Sequence, residues 1–251
     1  MKKGQYYQKN LVITNNGTKE LNISVFVSVL ETFIFPEENF INLLPGESKT
    51  LRLNIYVSET KPADVYVGKI IFKSTYVERN SRAILDITEK NALFDIKTVV
   101  LKKYIAPGGK VHANVSIINF GDLRNFDVSL EYMIIDFDKN NYTMKKEDFA
   151  INQTYNKIFY LDAPGDIKMG DYLFYSRVSY GSVSASSYDT FVVEKVSLLI
   201  WFIIIMIILI IFVMIFFRLK KKSEPKKEEF VKRKLIKSPL VRTKIKAPKL
   251  P

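Results

Sequence analysis

The chain has 251 residues and a net charge of +12 at pH 7, with one His and no Cys. A chain of this length holds one or two domains. Without cysteine it has no disulfides, no thiol nucleophile and no cysteine-based zinc site, and one histidine cannot form a multi-histidine metal site. We therefore expect packing alone to hold the fold, with no catalytic residues and no cofactors, and we expect that the protein is not an enzyme.

The first part of the chain alternates apolar and polar residues with a period of two, which is typical of strands with one buried and one exposed face. The alternation is clearest at 21–29 and 51–58, and turn signals at Asn16-Gly17 and Pro45-Gly46 separate the segments. These features predict an antiparallel β-sandwich at 1–89.

The second part of the chain repeats this pattern. Alternation returns at 111–117 and in the tyrosine-rich segment 170–180, which predicts a second sandwich at 92–194. In both parts a strand runs into an Asn-x-Gly turn, at Asn15 to Gly17 and at Asn119 to Gly121, an offset of about 104 residues. Glycine suits such a turn because it accepts a positive φ, and asparagine because its side chain bonds nearby backbone.

One strand has no counterpart in the repeat. The segment 93–101 reads as a strand and precedes the turn Pro107-Gly108-Gly109, whereas in the first part Gly4 already stands where Gly109 does. We therefore expect the first sandwich to lack its first strand. A missing first strand favours the interpretation that the chain is a fragment of a longer precursor. The alternative is a tail-anchored protein whose sandwiches stay in the cytoplasm.

The C-terminal part has a long apolar segment. Residues 196–217 contain no charge and one hydroxyl, Ser197, and a helix of this length would measure about 33 Å. The segment predicts a single transmembrane α-helix. Within 20 residues of it, ten Lys and Arg follow and two precede, which predicts extracytoplasmic N-terminal domains and a cytoplasmic, disordered tail at 218–251.

The predicted partners of this C-terminal part are lipids. The helix would contact the lipid bilayer, and the tail, with 14 Lys and Arg against three Glu, would bind anionic headgroups near the membrane. Its membrane-proximal basic cluster consists of Arg218, Lys220, Lys221 and Lys222. Nucleic acid is not an expected partner, because Phe230 is the one aromatic residue in the tail.

Three features together carry a resemblance to a known family. These are Leu44-Pro45-Gly46-Glu47 before an alternating strand, the apolar run 65–72 after a proline, and the two Asn-x-Gly turns. The region 4–194 resembles the immunoglobulin-like surface modules of the CARDB and NEW type, which occur in archaeal and bacterial envelope proteins. The resemblance implies a role as stalk, adhesion unit or spacer, and it brings no common catalytic residues.

One acidic segment matches part of a calcium-binding loop. Asp136, Asp138 and Asn140, with Glu147 eleven residues after Asp136, have the spacing of oxygen ligands around one hard cation. Nearby lysines, such as Lys139, oppose a cation, and no helical pattern flanks the segment. A solvated hairpin loop is the alternative.

Five sequons are candidate glycosylation sites on the predicted outer side, provided that the host has the transferase. They are Asn16, Asn22, Asn114, Asn141 and Asn152. Coincidence in an asparagine-rich chain is the alternative. The single histidine, His112, falls on the polar side of its strand, which indicates an exposed structural residue.

The fold class that follows is all-β, with two tandem immunoglobulin-like antiparallel β-sandwiches and one C-terminal transmembrane helix. The leading hypothesis is a single-pass envelope protein for adhesion, binding or structural support. It would engage an extracytoplasmic protein or glycan through strand faces that carry exposed tyrosines, namely Tyr56, Tyr66, Tyr76, Tyr175 and Tyr180. The alternatives are an accessory docking subunit of a membrane complex and the membrane-proximal stalk of a larger ectoenzyme.

Overall fold

The computed structural model describes residues 1–89, 93–121, 126–195 and 198–223, and in the last range it describes side chains only at 204–216 and 218. In these residues fifteen β-strands form four sheets, and one helix follows them. The strands belong to one compact unit and the helix to another. The strand arrangement is consistent with β-sandwiches.

The first seven strands form two sheets around one core. The smaller sheet has the order β1-β5-β3, with β1 Tyr6–Thr14, β5 Ser48–Tyr56 and β3 Ile34–Pro36. The larger has the order β4-β2-β6-β7, with β4 Phe40–Leu43, β2 Leu21–Ser28, β6 Asp64–Lys73 and β7 Glu78–Ile87. Inward-facing residues of both sheets, such as Ile41, Leu51 and Ile87, share one buried cluster, so we refer to residues 1–89 as the first sandwich.

The next eight strands repeat the two-sheet arrangement. The smaller sheet has the order β13-β10-β8, with β13 Thr154–Asp162, β10 Lys110–Asn119 and β8 Phe94–Val100. The larger has the order β12-β11-β14-β15-β9, with β12 Asn141–Ile151, β11 Phe126–Ile135, β14 Gly170–Tyr180, β15 Val183–Val193 and β9 Tyr104–Ile105. A second buried cluster, which includes Phe94, Leu130 and Phe174, lies between them. We refer to residues 93–195 as the second sandwich.

The predicted Asn-x-Gly repeat is present with the same bonds in both sandwiches. The Gly17 N–H donates to Asn15 Oδ1 at 3.0 Å, and the Gly121 N–H donates to Asn119 Oδ1 at 2.8 Å. The Asn15 side chain is buried and its amide also donates to the carbonyl of Leu43 at 3.0 Å. The asparagine therefore ties the turn to a neighbouring strand as well as to its own glycine.

Two further features repeat between the sandwiches. The Tyr66 hydroxyl donates to the carbonyl of Pro62 at 3.1 Å, and the Tyr172 hydroxyl donates to the carbonyl of Lys168 at 2.8 Å. Such a bond from a tyrosine to backbone a few residues upstream is a hallmark of immunoglobulin-like sandwiches. The turn glycines Gly4 and Gly108 have φ of +73° and +75°. The equivalent of Gly4 is thus Gly108, one position before the predicted Gly109.

The structure corrects the prediction of a transmembrane helix at 196–217. Helix α1 covers Leu198–Ser223, but among the residues that the structure describes no helix has both the length and the apolarity needed to cross a membrane. The fold prediction is therefore wrong in its C-terminal part.

Candidate functional site

The most distinctive site lies where the outer faces of the two larger sheets meet. Six buried residues form a cluster there that is separate from both sandwich cores, and we call it the junction cluster. Its members are Val65 and Val67 from β6, Leu173 and Tyr175 from β14, and Ile135 and Phe137 at the end of β11. The cluster removes apolar surface of both sandwiches from water.

The local sequence explains why β6 and β14 reach this position. In β6 the side chains of Tyr66 and Ile70 face the core of the first sandwich, so Val65 and Val67 face the opposite side. In β14 Phe174 faces the core of the second sandwich, and Tyr175 faces away from it. Both strands are apolar on both faces, which is typical of strands that are covered on both sides.

A polar network borders the junction cluster. The hydroxyl of Tyr175 donates to Asp64 Oδ1 at 2.5 Å, and Arg177 Nη1 lies 3.8 Å from Asp64 Oδ2. The backbone N–H of Val65 also donates to Asp64 Oδ1, at 2.8 Å. The Asp64 carboxylate of the first sandwich is thus bound by two side chains of the second.

Two other ion pairs join the sandwiches at the same face. Lys69 Nζ lies 2.5 Å from Asp138 Oδ2, and Arg82 pairs with Asp171. The Arg82 guanidinium also lies 5.5 Å from the ring centroid of Phe137. Because these groups are partly exposed, each pair adds about 0–1 kcal/mol; their main effect is to fix the relative position of the two sheets.

The titration of the junction tyrosines follows from their surroundings. Burial raises the pKa of Tyr175, and the nearby negative charge of Asp64 and its hydrogen bond raise this pKa further. Burial followed by the charge of Asp64 likewise raises the pKa of Tyr66. Tyr175 is therefore protonated at neutral pH and donates its hydroxyl hydrogen to Asp64.

A cleft of about 330 Å³ opens beside the junction cluster. It lies between the turn after β2 and strands β6, β11 and β14, and its charged lining includes Asp64, Glu131, Lys139 and Arg177. Val29 at its edge has a φ of +71°, a conformation that is strained for a β-branched residue. The cleft has room for a small polar group.

The structure separates the residues of the predicted calcium loop. Both oxygens of Asp136 are bound within the turn: Oδ1 accepts the N–H of Asp138 and of Asn140 at 2.9 Å, and Oδ2 accepts the hydroxyl of Tyr142 at 2.9 Å. Burial opposes ionisation, but these hydrogen bonds outweigh it and lower the pKa of Asp136.

Glu147 does not join this turn. It lies within β12 opposite Leu130, and it accepts hydrogen bonds from the hydroxyl of Tyr132 at 2.6 Å and from Lys157 at 2.9 Å. These two bonds lower the pKa of Glu147. The spacing argument is wrong here because the chain after Asn141 runs as an extended strand and carries Glu147 away from Asp136. In the described part of the chain, no three His, Cys, Asp or Glu side chains form a group that could hold a metal ion.

Four of the five sequon asparagines are exposed. Asn16, Asn22, Asn141 and Asn152 have open side chains, whereas Asn114 is half-buried on β10 between two neighbouring strands. His112 is exposed, as predicted, with its ring 6.1 Å from that of Tyr160.

The predicted exposed tyrosine faces are only partly present. Tyr56, Tyr76 and Tyr180 are exposed, but Tyr175 is 6% exposed and Tyr66 is half-buried. The prediction fails at Tyr66 because this side chain packs against the core of its own sandwich, and at Tyr175 because its side chain lies in the junction cluster.

The predicted basic cluster is described only at Arg218, which is exposed in α1. The side chains of Lys220, Lys221 and Lys222, and the whole tail from 224 onward, lie outside the described residues.

The comparisons with known proteins give no family. No protein-family model matches the chain, and no curated protein matches it; the resemblance to CARDB and NEW-type modules therefore has no family match behind it.

Some solved structures are similar at low levels. The D0-D1 domain of Intimin is 16% identical with a TM-score of 0.38, over 77% of this chain and 94% of that chain. A protein of unknown function from Porphyromonas gingivalis W83 is 11% identical with a TM-score of 0.37, over 75% and 92%. The CupB2 chaperone of Pseudomonas aeruginosa is 11% identical with a TM-score of 0.28, over 73% and 91%. At these scores the similarity carries no argument, so function has to be inferred from the chain itself.

The sequence interpretation missed the junction residues Asp64 and Arg177. A signal for the junction was present, because the runs 65–72 and 172–175 are apolar or aromatic at most positions, and continuous apolar runs indicate strands buried on both faces.

Proposed function

We propose that this protein is a non-catalytic binding module of the cell surface, for adhesion or structural support, in which two β-sandwiches act as one rigid unit. The observation that carries the proposal is the junction cluster with its polar border. Neighbouring domains move relative to each other unless their interface is large and hydrophobic. A rigid pair keeps its two ends at a fixed separation, which is what a spacer or adhesion unit needs.

The physical cost of opening the junction supports rigidity. Leu173 is fully buried and Tyr175 nearly so, and exposing a side chain of this size costs about 1.5–3 kcal/mol. Opening would also break the bond between Tyr175 and Asp64. These terms favour one dominant arrangement of the sandwiches over a freely jointed pair.

The proposed partner is an extracytoplasmic protein or glycan. The exposed apolar and aromatic side chains, such as Phe40, which is 77% exposed, and Tyr76, which is 65% exposed, offer the contact area that such partners use. The proposal assigns no reaction, because the polar groups of the junction are used in hydrogen bonds and ion pairs with each other.

Rigidity can be tested by spin labelling, because the chain has no native cysteine. One label at Thr18→Cys and one at Thr154→Cys place exposed probes on each sandwich. We expect a narrow distance distribution that widens when Val67→Asp puts a charge into the junction cluster. Val99→Asp, at a position that is 40% exposed, is the matched control and should leave the distribution narrow. A broad distribution in the unsubstituted chain would refute the rigid pair.

Location needs a separate measurement. With an epitope tag at the N-terminus, protease added to intact cells should remove the tag if the sandwiches lie outside. A tag that survives until the cells are lysed would refute a surface role and would direct the search for partners to the cytoplasm.

A further inference from the structure

A pocket lies at one end of the first sandwich, where β1 passes into β2 and β6 turns into β7. It has a volume of about 600 Å³ and is lined on one side by the segment 14–19 and Leu21, and on the other by Tyr76, Val77 and Arg79. We call it the tip pocket. None of the described residues that line it belongs to the junction cluster or to the cleft beside that cluster, so it is an independent site.

Hydrogen bonds fix both walls of the tip pocket. On one side the buried Asn15 amide donates to the carbonyl of Lys19 at 2.8 Å and thereby closes the loop between β1 and β2. On the other side the Ser74 N–H donates to the carbonyl of Val77 at 2.9 Å, and Ser74 Oγ accepts the Val77 N–H at 3.1 Å. Walls that are ordered in advance lose little conformational freedom when a ligand binds.

The turn between β6 and β7 presents an aromatic ring at the pocket. In the second sandwich Tyr180 pairs with Val183, which leaves two residues in the turn between β14 and β15. In the first sandwich Lys73 pairs with Glu78, which leaves four residues in the equivalent turn. Tyr76 lies in this longer turn and is 65% exposed. Exposed tyrosines are enriched at binding surfaces because the ring supplies a large contact area and few rotatable bonds.

The charge of the tip pocket is positive. Its described lining contains Lys19 and Arg79 and no carboxylate, and Lys19 Nζ lies 4.9 Å from the ring centroid of Tyr76. The adjacent Glu78 pairs with Lys73 at 3.6 Å. In the part of the chain that the structure describes, neither Lys19 nor Arg79 forms an ion pair. Ammonium and guanidinium groups bind carboxylates, and the guanidinium does so with two parallel hydrogen bonds.

The other polar side chains of the lining suit a ligand with many hydroxyl groups. Asn16 and Thr18 are exposed, and amide and hydroxyl groups both donate and accept hydrogen bonds. The face of the Tyr76 ring carries partial negative charge, which attracts the C–H bonds of a sugar ring. The volume also lies within the range of small-molecule sites, roughly 300–1,000 Å³.

We propose that the tip pocket binds an acidic saccharide. The ring of one sugar lies against Tyr76, and the carboxylate of that sugar lies beside Lys19 and Arg79. The inference rests on the proposed function, because it names the class of partner that the binding module takes. The two fail separately, since spin labels and protease measure the rigid pair and its location, whereas saccharide binding is measured on the purified chain.

The probe is hexagalacturonate, a chain of six sugars that each carry a carboxylate. Its matched control is the fully methyl-esterified chain, which has the same rings without the charge. Because the protein has no native cysteine, a fluorophore at the exposed position Thr75→Cys reports binding beside Tyr76. The full chain is made in a host without the glycosylation machinery, so that Asn16 is unmodified. We expect saturable binding of the acid form, about fivefold or more tighter than binding of the ester.

Two variants test the residues of the pocket. Arg79→Gln removes a charge and Tyr76→Ala removes the ring, and each should weaken binding of hexagalacturonate about fivefold or more. The matched controls are Arg52→Gln and Tyr56→Ala, at exposed residues that do not line the pocket, and both should leave the affinity unchanged. Thermal unfolding verifies that each variant is folded.

Several outcomes would overturn the proposal. The first is a lack of saturable binding, and the second is equal affinity for the acid and ester forms. Affinity that survives Arg79→Gln and Tyr76→Ala would place the saccharide on another basic part of the chain. A hexaglutamate peptide that binds as tightly as hexagalacturonate would assign the tip pocket to an acidic polypeptide instead.

Discussion

Removing the Tyr175 hydroxyl tests the polar border of the junction with a minimal change. Tyr175→Phe keeps the ring in the junction cluster and deletes the 2.5 Å hydrogen bond to Asp64. A hydrogen bond to a charged group contributes about 1.5–3 kcal/mol. Asp64 keeps its bonds to the Val65 N–H and to Arg177, so its carboxylate does not become an unpaired buried charge. We therefore expect a loss near the lower end, about 1.5 kcal/mol.

This loss converts to a shift that calorimetry resolves. For a unit of about 150–250 residues, 1 kcal/mol corresponds to roughly 2–4 °C in Tm, so Tyr175→Phe should lower Tm by about 3–6 °C. The matched control is Tyr56→Phe, since Tyr56 is 45% exposed, and its Tm should change by less than about 1 °C. Equal shifts in the two variants, or no shift in Tyr175→Phe, would refute the idea that this hydroxyl stabilises the unit.

The remaining predictions concern titration and the repeated turn. The pKa of Glu147 is lowered in the folded state, so ionised Glu147 stabilises the fold above about pH 4.5 and this stabilisation is lost as the pH falls. The free energy of unfolding should therefore fall less between about pH 5 and pH 3 in Glu147→Gln than in the unsubstituted chain. Urea unfolding that gives parallel pH profiles for the two proteins would contradict this. Because the pKa of Tyr175 is raised, the free energy of unfolding should decrease as the pH rises above about 10, and it should decrease less steeply in Tyr175→Phe. The same slope in both proteins would argue against burial of the hydroxyl. Asn15→Ala removes the hydrogen bonds of a buried side chain to the Gly17 N–H and the Leu43 carbonyl and should lower the free energy of unfolding by about 2–3 kcal/mol. The exposed control Asn22→Ala should lower it by less than about 0.5 kcal/mol. Equal losses in denaturant unfolding would contradict a stabilising role of the turn.

The features that sequence could predict are those with a local physical cause. Alternation with a period of two identified the strands of both sandwiches, because each strand has a face toward its own core. The Asn-x-Gly repeat was recognisable because the bond from Gly17 to Asn15 lies within three residues. The same repeat predicts that the first sandwich has no counterpart of β8, and in the described residues β1 pairs with β5 alone.

The features that sequence could not predict depend on contacts between distant segments. Tyr175 was predicted to be exposed because residues of its strand were expected to face the core and the solvent in turn. Its side chain instead contacts the first sandwich, at Asp64, about 110 residues earlier in the chain. The calcium ligands were chosen by spacing, and spacing alone does not distinguish a loop from the strand that carries Glu147 away. The transmembrane prediction rested on the length of the uncharged run 196–217 and on its flanking charges, and among the described residues no helix satisfies it.

The pairing of β9 with β15 has a mechanical consequence. These two strands run parallel and are joined by the bonds from the Val192 N–H to the carbonyl of Lys103, at 2.7 Å, and from the Glu194 N–H to that of Ile105, at 2.9 Å. A tensile force that enters ahead of β9 and leaves after β15 pulls parallel neighbours in opposite directions, so it loads these bonds together in shear. The bridge between Lys2 and Thr88 is also parallel, which gives the first sandwich the same geometry. Each sandwich would then resist stretching through bonds that fail together, so its lifetime under load is governed by its unfolding rate.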